Sequence, residues 1–258
     1  MNEHKYTMSL SLNVLNHLGI NLYSNVPAVL SEVVSNSWDA DAEKVEIEIG
    51  SEKIVITDDG HGMSLGEVND KYLLVGYERR KTKKERYTPK HHRSVMGRKG
   101  IGKLSLFSIA NRIEIHTVRN GEKNGFLMLP NKIQELLKKT KDKQDYHPDD
   151  IPVSEITLDH QGTRVILSDL KRRTGSTSSP LRKRLARRFS IIGTRYKFNV
   201  IVDGTPISIS DRDYFHKLQY LWYYGKKSEE YIGYCRNLED KEKRPSTTKE
   251  SGYGVWGW

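Results

Sequence analysis

Cysteine is almost absent: Cys235 stands alone among 258 residues, so the chain can close no internal disulfide and build no CxxC zinc site. Long apolar runs are missing too, none approaching the roughly 18 residues that a membrane span needs. The N-terminal residues lack a basic stretch leading into an uninterrupted apolar segment and a small-residue cleavage site. These absences set aside membrane insertion and secretion, and a soluble, cytosolic protein is expected. With 36% hydrophobic and 29% charged residues, the chain is too apolar for disorder and too polar for a membrane. Its length allows a core that needs no staples.

Acid is missing in one place above all. From Lys171 to Lys197 there are ten Lys or Arg and no Asp or Glu. The net charge of +10 is unevenly spread: −8 over residues 1–75, +9 over 76–103, −1 over 104–170 and +10 over 171–258. An acidic start thus faces two basic blocks, and the second is dense enough to attract phosphates through its summed field and through counterion release. A solvated surface is the plainer reading of such a run.

Apolar periodicity predicts a short helix over Leu10–Leu18, ended by Gly19, and a second opened by Pro27 and running through Trp38. Val45, Ile47 and Ile49 alternate with Glu46 and Glu48 and are followed by strand 53–57, a hairpin with one wet face. Between Gly76 and Arg98 periodicity disappears, and a long basic loop is expected. Beyond it the pattern gives a helix over Ile101–Asn111, strands at Arg112–Val118 and Gly125–Leu129, a charged amphipathic helix over Ile133–Lys143, and a strand at Gln161–Leu167. Ser179-Pro180 opens a helix with an apolar stripe of Leu181, Leu185, Phe189 and Ile192 opposite its arginines, and Phe198–Ser210 folds as a hairpin about Asp203-Gly204. The last stretch turns to Tyr, Trp and charge and stops at Trp256-Gly-Trp258, which suggests a fragment of something longer.

Three short patterns could carry chemistry. On the helix after Pro27, Glu32, Asn36 and Asp39 recur at i, i+4 and i+7, within about 60° of arc, while Val29, Leu30, Val33, Val34 and Trp38 take the other side. Such a helix buries its apolar arc and aims three polar groups into one cleft. Asp58-Asp-Gly-His-Gly62 directly follows a strand, so a carboxylate meets two glycines, Gly60 and Gly62, that permit a tight turn and close approach of a ligand. Gly97-Arg-Lys-Gly-Ile-Gly102 precedes a helix, and its amides and the positive helix end suit a phosphate chain. Each alone has a bland counterpart: a solvated face, an Asp-Gly turn, a chance run of glycines. The last stretch also reads GxxxxGK, but Leu104 replaces the Mg²⁺-ligating Ser or Thr and no strand precedes it, which disfavours a Walker A loop.

Order and context lift these signals. ExxxNxxDA at 32–40, strand then DxGxG at 58–62, loop then GxxGxG at 97–102, and a strand bearing Gly162-Thr163 together resemble the GHKL ATPase superfamily over about residues 10–210. That superfamily includes gyrase B, the ninety-kilodalton heat-shock chaperone, histidine kinases, MutL and MORC proteins. The resemblance implies a Bergerat fold, a two-layer α/β sandwich of a mixed sheet with helices on one face, and ATP held between them under a mobile lid. It implies that Asn36 holds Mg²⁺, that Glu32 polarises the attacking water, and that Asp58 accepts the adenine amino proton with support from the Thr163 hydroxyl. Gly62 would let the purine approach, and Gly97, Gly100 and Gly102 would be lid and phosphate glycines. Gly60, Met63 and Ile101 complete the nucleotide set, Asp39 would contact its own helix or the adenine side, and Lys103 is a candidate for direct phosphate contact.

Asn36-Ser-Trp-Asp-Ala40 resembles the form seen in the chaperone, MutL and MORC branches, and no histidine-bearing dimerisation helix precedes it, which disfavours a sensor kinase. The expected organisation is an ATP-binding domain over 1–210, its lid at about 76–100, followed at 211–258 by the start of a second, truncated domain. The expected function is a Mg²⁺-dependent ATP-binding and hydrolysing conformational switch, with ATP-dependent homodimerisation. The alternatives are a nucleic-acid-associated ATP-binding module with little turnover and a protein kinase of the same superfamily. Nucleic acid or an acidic protein would dock through 171–197. The family's transducer lysine is not placed.

Overall fold

Val45 and Ile47 of β2 (Lys44–Ile49) and Ile54 and Ile56 of β3 (Lys53–Asp58) are buried, while Lys44, Glu48 and Lys53 are exposed. A period of two imposes this on a hairpin with one covered face. The strands pair antiparallel, Val45 opposite Asp58 and Ile49 opposite Ile54, and Gly50 N donates to Lys53 O at 2.9 Å to close the turn. The computed structural model describes residues 4–10, 26–75, 86–97, 102–139, 144–171, 174, 178–192, 196–224, 231–238 and 254–257.

The hairpin lies inside an eight-stranded sheet with β4 (Ala110–Arg119), β5 (Glu122–Met128), β7 (Asp149–Asp150), β8 (Gly162–Leu170), β9 (Asn199–Val202) and β10 (Thr205–Pro206), in the order β10-β9-β2-β3-β8-β4-β5-β7. β2 and β9 run parallel and the remaining neighbours antiparallel, so the sheet is mixed. Asp203 (φ 46°) and Gly204 (φ 73°) supply the two left-handed residues of the tight β9–β10 turn. Two small pairs lie outside this sheet: β1 (Met8–Leu10) with β6 (Gln144–Tyr146), and β11 (Leu221–Tyr224) with β12 (Gly254–Gly257).

Helices α1 (Val26–Asp39), α2 (Pro130–Lys139) and α3 (Ser178–Arg188), with the 3₁₀ segment Gly102–Ser108, cover one face. Leu30 and Val34 of α1, Leu104 and Leu106 of the 3₁₀ segment, Ile133 of α2 and Leu181 and Leu185 of α3 form one core with Val45, Ile56, Ile115, Phe126, Val165 and Val200 of the sheet. On the other face Val118 and Leu127 make a smaller cluster with Ile151, Ile156 and Leu158. The layering is that of the expected α/β sandwich. Among the described residues no helix is long and apolar enough to cross a membrane.

Several elements depart from the sequence pattern. The helix expected over Ile101–Asn111 is a 3₁₀ segment ending at Ser108, because Ala110 pairs with Leu170 and Lys171 N donates to Ile109 O, drawing the chain into the sheet. The helix expected from Ile133 starts at Pro130, a residue suited to a first turn. The helix expected over Leu10–Leu18 falls, beyond Leu10, outside the described residues; Leu10 itself ends β1. Near the expected domain boundary at 210, the chain is tied to α3: Arg182 pairs with Asp211 at 2.9 Å, Arg187 pairs with Asp213, and Arg212 Nε donates to Ala186 O at 2.9 Å.

Of the basic segment Gly76–Arg98, residues 86–97 are described, and they run as a loop, as expected, that is pinned to the body at a few buried residues. Tyr87 and Ser94 bridge, and Thr88, Arg93 and Val95 are buried. Arg93 donates to Ala42 O at 2.6 Å, Lys197 O at 2.9 Å and Tyr196 O at 3.1 Å. Its guanidinium lies 4.5 Å from the Trp38 ring centroid and 5.4 Å from that of Phe198. Carbonyl dipoles and ring faces replace the lost water around this cation. Arg93→Ala should therefore leave carbonyls and a cavity behind and lower the unfolding free energy by roughly 3 kcal/mol. Arg93→Lys, with one ammonium for diverging acceptors, should recover less than half of that; urea denaturation measures both.

Candidate functional site

Every residue of α1 except Pro27, Glu32 and Asn36 is buried. The valines, Leu30 and Trp38 account for the apolar part. Ser31 and Ser35 enter the interior by donating their hydroxyls four residues back, to Pro27 O at 2.7 Å and Ser31 O at 3.0 Å, whereas the Ser37 hydroxyl has Val33 O at 3.3 Å only as its second, longer acceptor. What remains open is a window one turn long, with Glu32 half-buried at one end and Asn36 exposed at the other. Two of the three polar residues predicted to share a face do so at an accessible place.

The third, Asp39, has another partner. Its Oδ1 accepts from Met96 N at 2.7 Å and its Oδ2 from Gly97 N at 2.8 Å, so the carboxylate holds the start of the glycine-rich stretch. Asp41, left-handed at φ 59°, does the same for the Lys90 and His91 amides at 2.8 and 3.2 Å. Trp38 Nε1 adds a bond to Ser94 O at 2.9 Å. The C-terminal end of α1 is thus the anchor of the 86–97 segment. Gly100 and Ile101 lie outside the described residues.

Gly102 sits against the window: a Cβ there would stand 3.1 Å from Glu32 Oε2. The glycine makes room for the carboxylate. Lys103, expected at the phosphates, is buried, its ammonium donating to Leu74 O at 2.8 Å and lying 5.7 Å from the Tyr72 ring centroid. That contact ties the two flanks of the loop together.

At the end of β3 the Asp58 side chain is buried and both of its oxygens accept hydrogen bonds. Oδ2 accepts from the Ser37 hydroxyl at 2.9 Å, and Oδ1 accepts from Gly60 N at 3.0 Å and Thr163 N at 3.2 Å. Thr163, opposite Asp58 in the β3–β8 register, supports it through the backbone amide rather than the expected hydroxyl. The hydroxyl comes from Ser37, which sequence reasoning passed over although it stands beside Asn36. Burial pushes the Asp58 carboxyl above the usual carboxylate range, against the opposing pull of these three donors.

The glycines around Asp58 are demanded by backbone contact. Gly62 is left-handed (φ 62°) and a Cβ there would overlap the Val118 carbonyl; at Gly162 (φ 146°) it would overlap the Asp58 carbonyl. At Gly60 it would stand 2.7 Å from Ala40 O. Met63 N donates to Thr117 Oγ1 at 2.8 Å, and the same hydroxyl donates to Gly162 O at 3.2 Å. Thr117, a second residue not foreseen, therefore locks the DxGxG turn to β4 and β8.

A buried carboxylate with a raised pKa costs stability once ionised: its contribution is full below the unfolded pKa and is lost as pH rises through the folded one. Asp58→Asn keeps an acceptor for the two amides and places an amide donor beside Ser37, whose hydroxyl can turn to Val33 O. The variant should melt no lower than wild type at pH 8, where the aspartate is most costly, while calorimetry should find no ATP binding. A variant that binds ATP like wild type would remove Asp58 from the nucleotide site.

Comparison with known proteins agrees with this fold. Residues 23–163 match the family model described as histidine kinase-, DNA gyrase B- and HSP90-like ATPase. Over its whole length the chain is 39% identical to a protein named "Putative type II restriction enzyme HgiDII" of Herpetosiphon aurantiacus, of which it spans 41%. Over 65% of its length it is 27% identical to the chaperone protein HtpG of Francisella tularensis subsp. novicida, spanning 28% of that protein. The chain therefore covers well under half of either relative. A mixed sheet under helices, a buried carboxylate at the end of β3 and a family model matching more than half the residues lead to one conclusion: this chain belongs to the histidine kinase-, DNA gyrase B- and HSP90-like ATPase family.

Proposed function

We propose that the chain is a Mg²⁺-dependent ATP-binding and hydrolysing module that acts as a nucleotide-driven conformational switch. The observation that carries this reading is the window on α1: a helix buried nearly all round leaves Glu32 and Asn36 accessible one turn apart, with Gly102 against Glu32. At the far end of the same helix, Ser37 reaches Asp58. The helix would thus span from the adenine, received by Asp58, to the terminal phosphate, faced by Glu32.

The donor set suits a hard cation. Asn36 offers an amide oxygen in the open, and among the described residues no group of three or more His, Cys, Asp or Glu forms a cage. A single protein oxygen fits a metal that keeps its waters and takes the rest of its ligands from phosphate. When bound, Mg²⁺ would neutralise phosphate charge; Asn36 would hold it. Glu32 would orient the attacking water and take its proton, and Asp58 would fix the purine. Asp39 and Asp41, by gripping the 86–97 segment, would set where the lid begins to move. Lid closure on ATP would favour pairing of two copies, and hydrolysis would release it.

Glu32→Gln should still bind ATP and should lose turnover by about 10²-fold or more, the scale of a positioned base. Phosphate release at the wild-type rate would exclude Glu32 as that base and favour a binding module.

A second reading adds nucleic acid as the partner. It is supported by the full-length match to a protein named as a restriction enzyme and by the exposed Lys183 and Arg184 on α3. Arg182, Arg187 and Arg188, which the sequence offered as surplus charge, each pair with a carboxylate, so they leave a smaller basic face than composition suggests. On this reading, charge reversal at Lys183 and Arg184 should weaken nucleic-acid binding on all sequences alike, wild-type affinity should fall steeply with salt, and ATP affinity should not change. A filter-binding series in rising salt measures this, and no retention at low salt would exclude it.

A further inference from the structure

The carboxylate assigned above to the attacking water is not alone in its window. Arg188, at the C-terminal end of α3, donates from Nη2 to Glu32 Oε1 at 2.6 Å, while Glu32 Oε2 faces Gly102. The guanidinium also lies 5.6 Å from the Phe189 ring centroid. Both side chains retain solvent access, 39% for Arg188 and 21% for Glu32. The pair can therefore open without dragging a buried charge into the core. Arg188 lies beyond residues 23–163, outside the part of the chain that matches the family model.

The charges around the window give this pair a task. A carboxylate beside the terminal phosphate repels it, and the same carboxylate must be there for the water. A guanidinium within hydrogen-bond reach of Glu32 is also within reach of whatever anion comes to lie beside Glu32, and its planar fork can serve two oxygens at once. α3 can hold that guanidinium in place because two of its other arginines are fixed: Arg182 to Asp211 and to the Thr205 and Pro206 carbonyls at 2.6 and 3.0 Å, and Arg187 to Asp213.

We propose that Arg188 is the residue by which this chain tells a triphosphate from a diphosphate: it neutralises Glu32 in the empty window and bonds the third phosphate when one arrives, leaving Glu32 to the water. The proposal rests on the nucleotide reading above. It also links the window to residues 205–213, because a guanidinium that changes partner pulls on a helix whose Arg182 and Arg187 grip that segment.

Calorimetry with Mg²⁺, using ADP and a non-hydrolysable ATP analogue, tests it on the whole chain without relying on turnover. Arg188→Ala should weaken the analogue by about tenfold or more, the scale of a charge-assisted bond, and ADP by less than about twofold. Arg188→Lys, which keeps the charge on a shorter reach, should fall between. Glu32→Gln, which frees Arg188 and removes the repelling carboxylate, should bind the analogue at least as tightly as wild type. Equal weakening of both nucleotides in Arg188→Ala would make Arg188 merely structural and overturn the proposal, as would no weakening of either. If wild type binds neither nucleotide, the nucleotide reading itself fails, which is a different result from wild-type binding without discrimination at Arg188.

Discussion

Asp58 is a carboxylate held out of water, and much of the local architecture exists to keep it there. Three donors from three parts of the chain converge on it: the Ser37 hydroxyl from α1, the Gly60 amide from the turn after β3, and the Thr163 amide from the facing strand β8. Together they offset part of the desolvation of one buried charge. The contacts also decide geometry. Thr163 must lie opposite Asp58, which fixes the β3–β8 register; Ser37 must point at β3, which fixes the rotation of α1; and Gly162 must pass over the Asp58 carbonyl without a side chain. Ionised, the Asp58 carboxylate costs the fold stability, and these contacts recover part of it.

Once α1 is fixed in rotation, its other contacts are set. Its apolar arc goes to the sheet, Ser31 and Ser35 satisfy themselves along the helix, and Glu32 and Asn36 are what is left for the opening. Its C-terminal end becomes a clamp, with Asp39 and Asp41 receiving amides of the 86–97 segment and Trp38 stacked beneath Arg93. The acidic first third of the chain and the basic segment after it are therefore joined by contacts as well as by long-range field. Negative charge at these positions is directed at backbone N–H groups, and the basic side chains Lys90 and His91 lie against Glu43.

Period-two alternation made the hairpin at 44–58 legible, and the interval of helical residues made the Glu32–Asn36 pair legible, because both depend only on local geometry. The turn glycines were legible as well, though for a partial reason: they answer to strand backbones passing close by, at Val118 and Asp58, more than to any incoming ligand. Asp39 was visible as a polar residue on the right face but not as an anchor. Its partners lie 57 and 58 residues away, and no local pattern announces which amides will arrive. The same holds for Lys103, whose buried ammonium answers to Leu74 O, and for Arg93, which read as one more cation in a basic loop.

The sequence by itself determined the strand hairpin, the amphipathic division of α1, the order of the motifs and, through that order, the family. These are properties of spacing, and spacing survives in one dimension. Only the tertiary structure decided which donors surround Asp58, that Ser37 rather than the Thr163 side chain supplies its hydroxyl contact, and that three arginines of a seemingly idle basic helix are engaged, one of them at Glu32. A buried charge or a long cation is satisfied by whichever dipoles the fold carries to it. Those dipoles come from strands and helices far away in the chain, where no periodicity connects them.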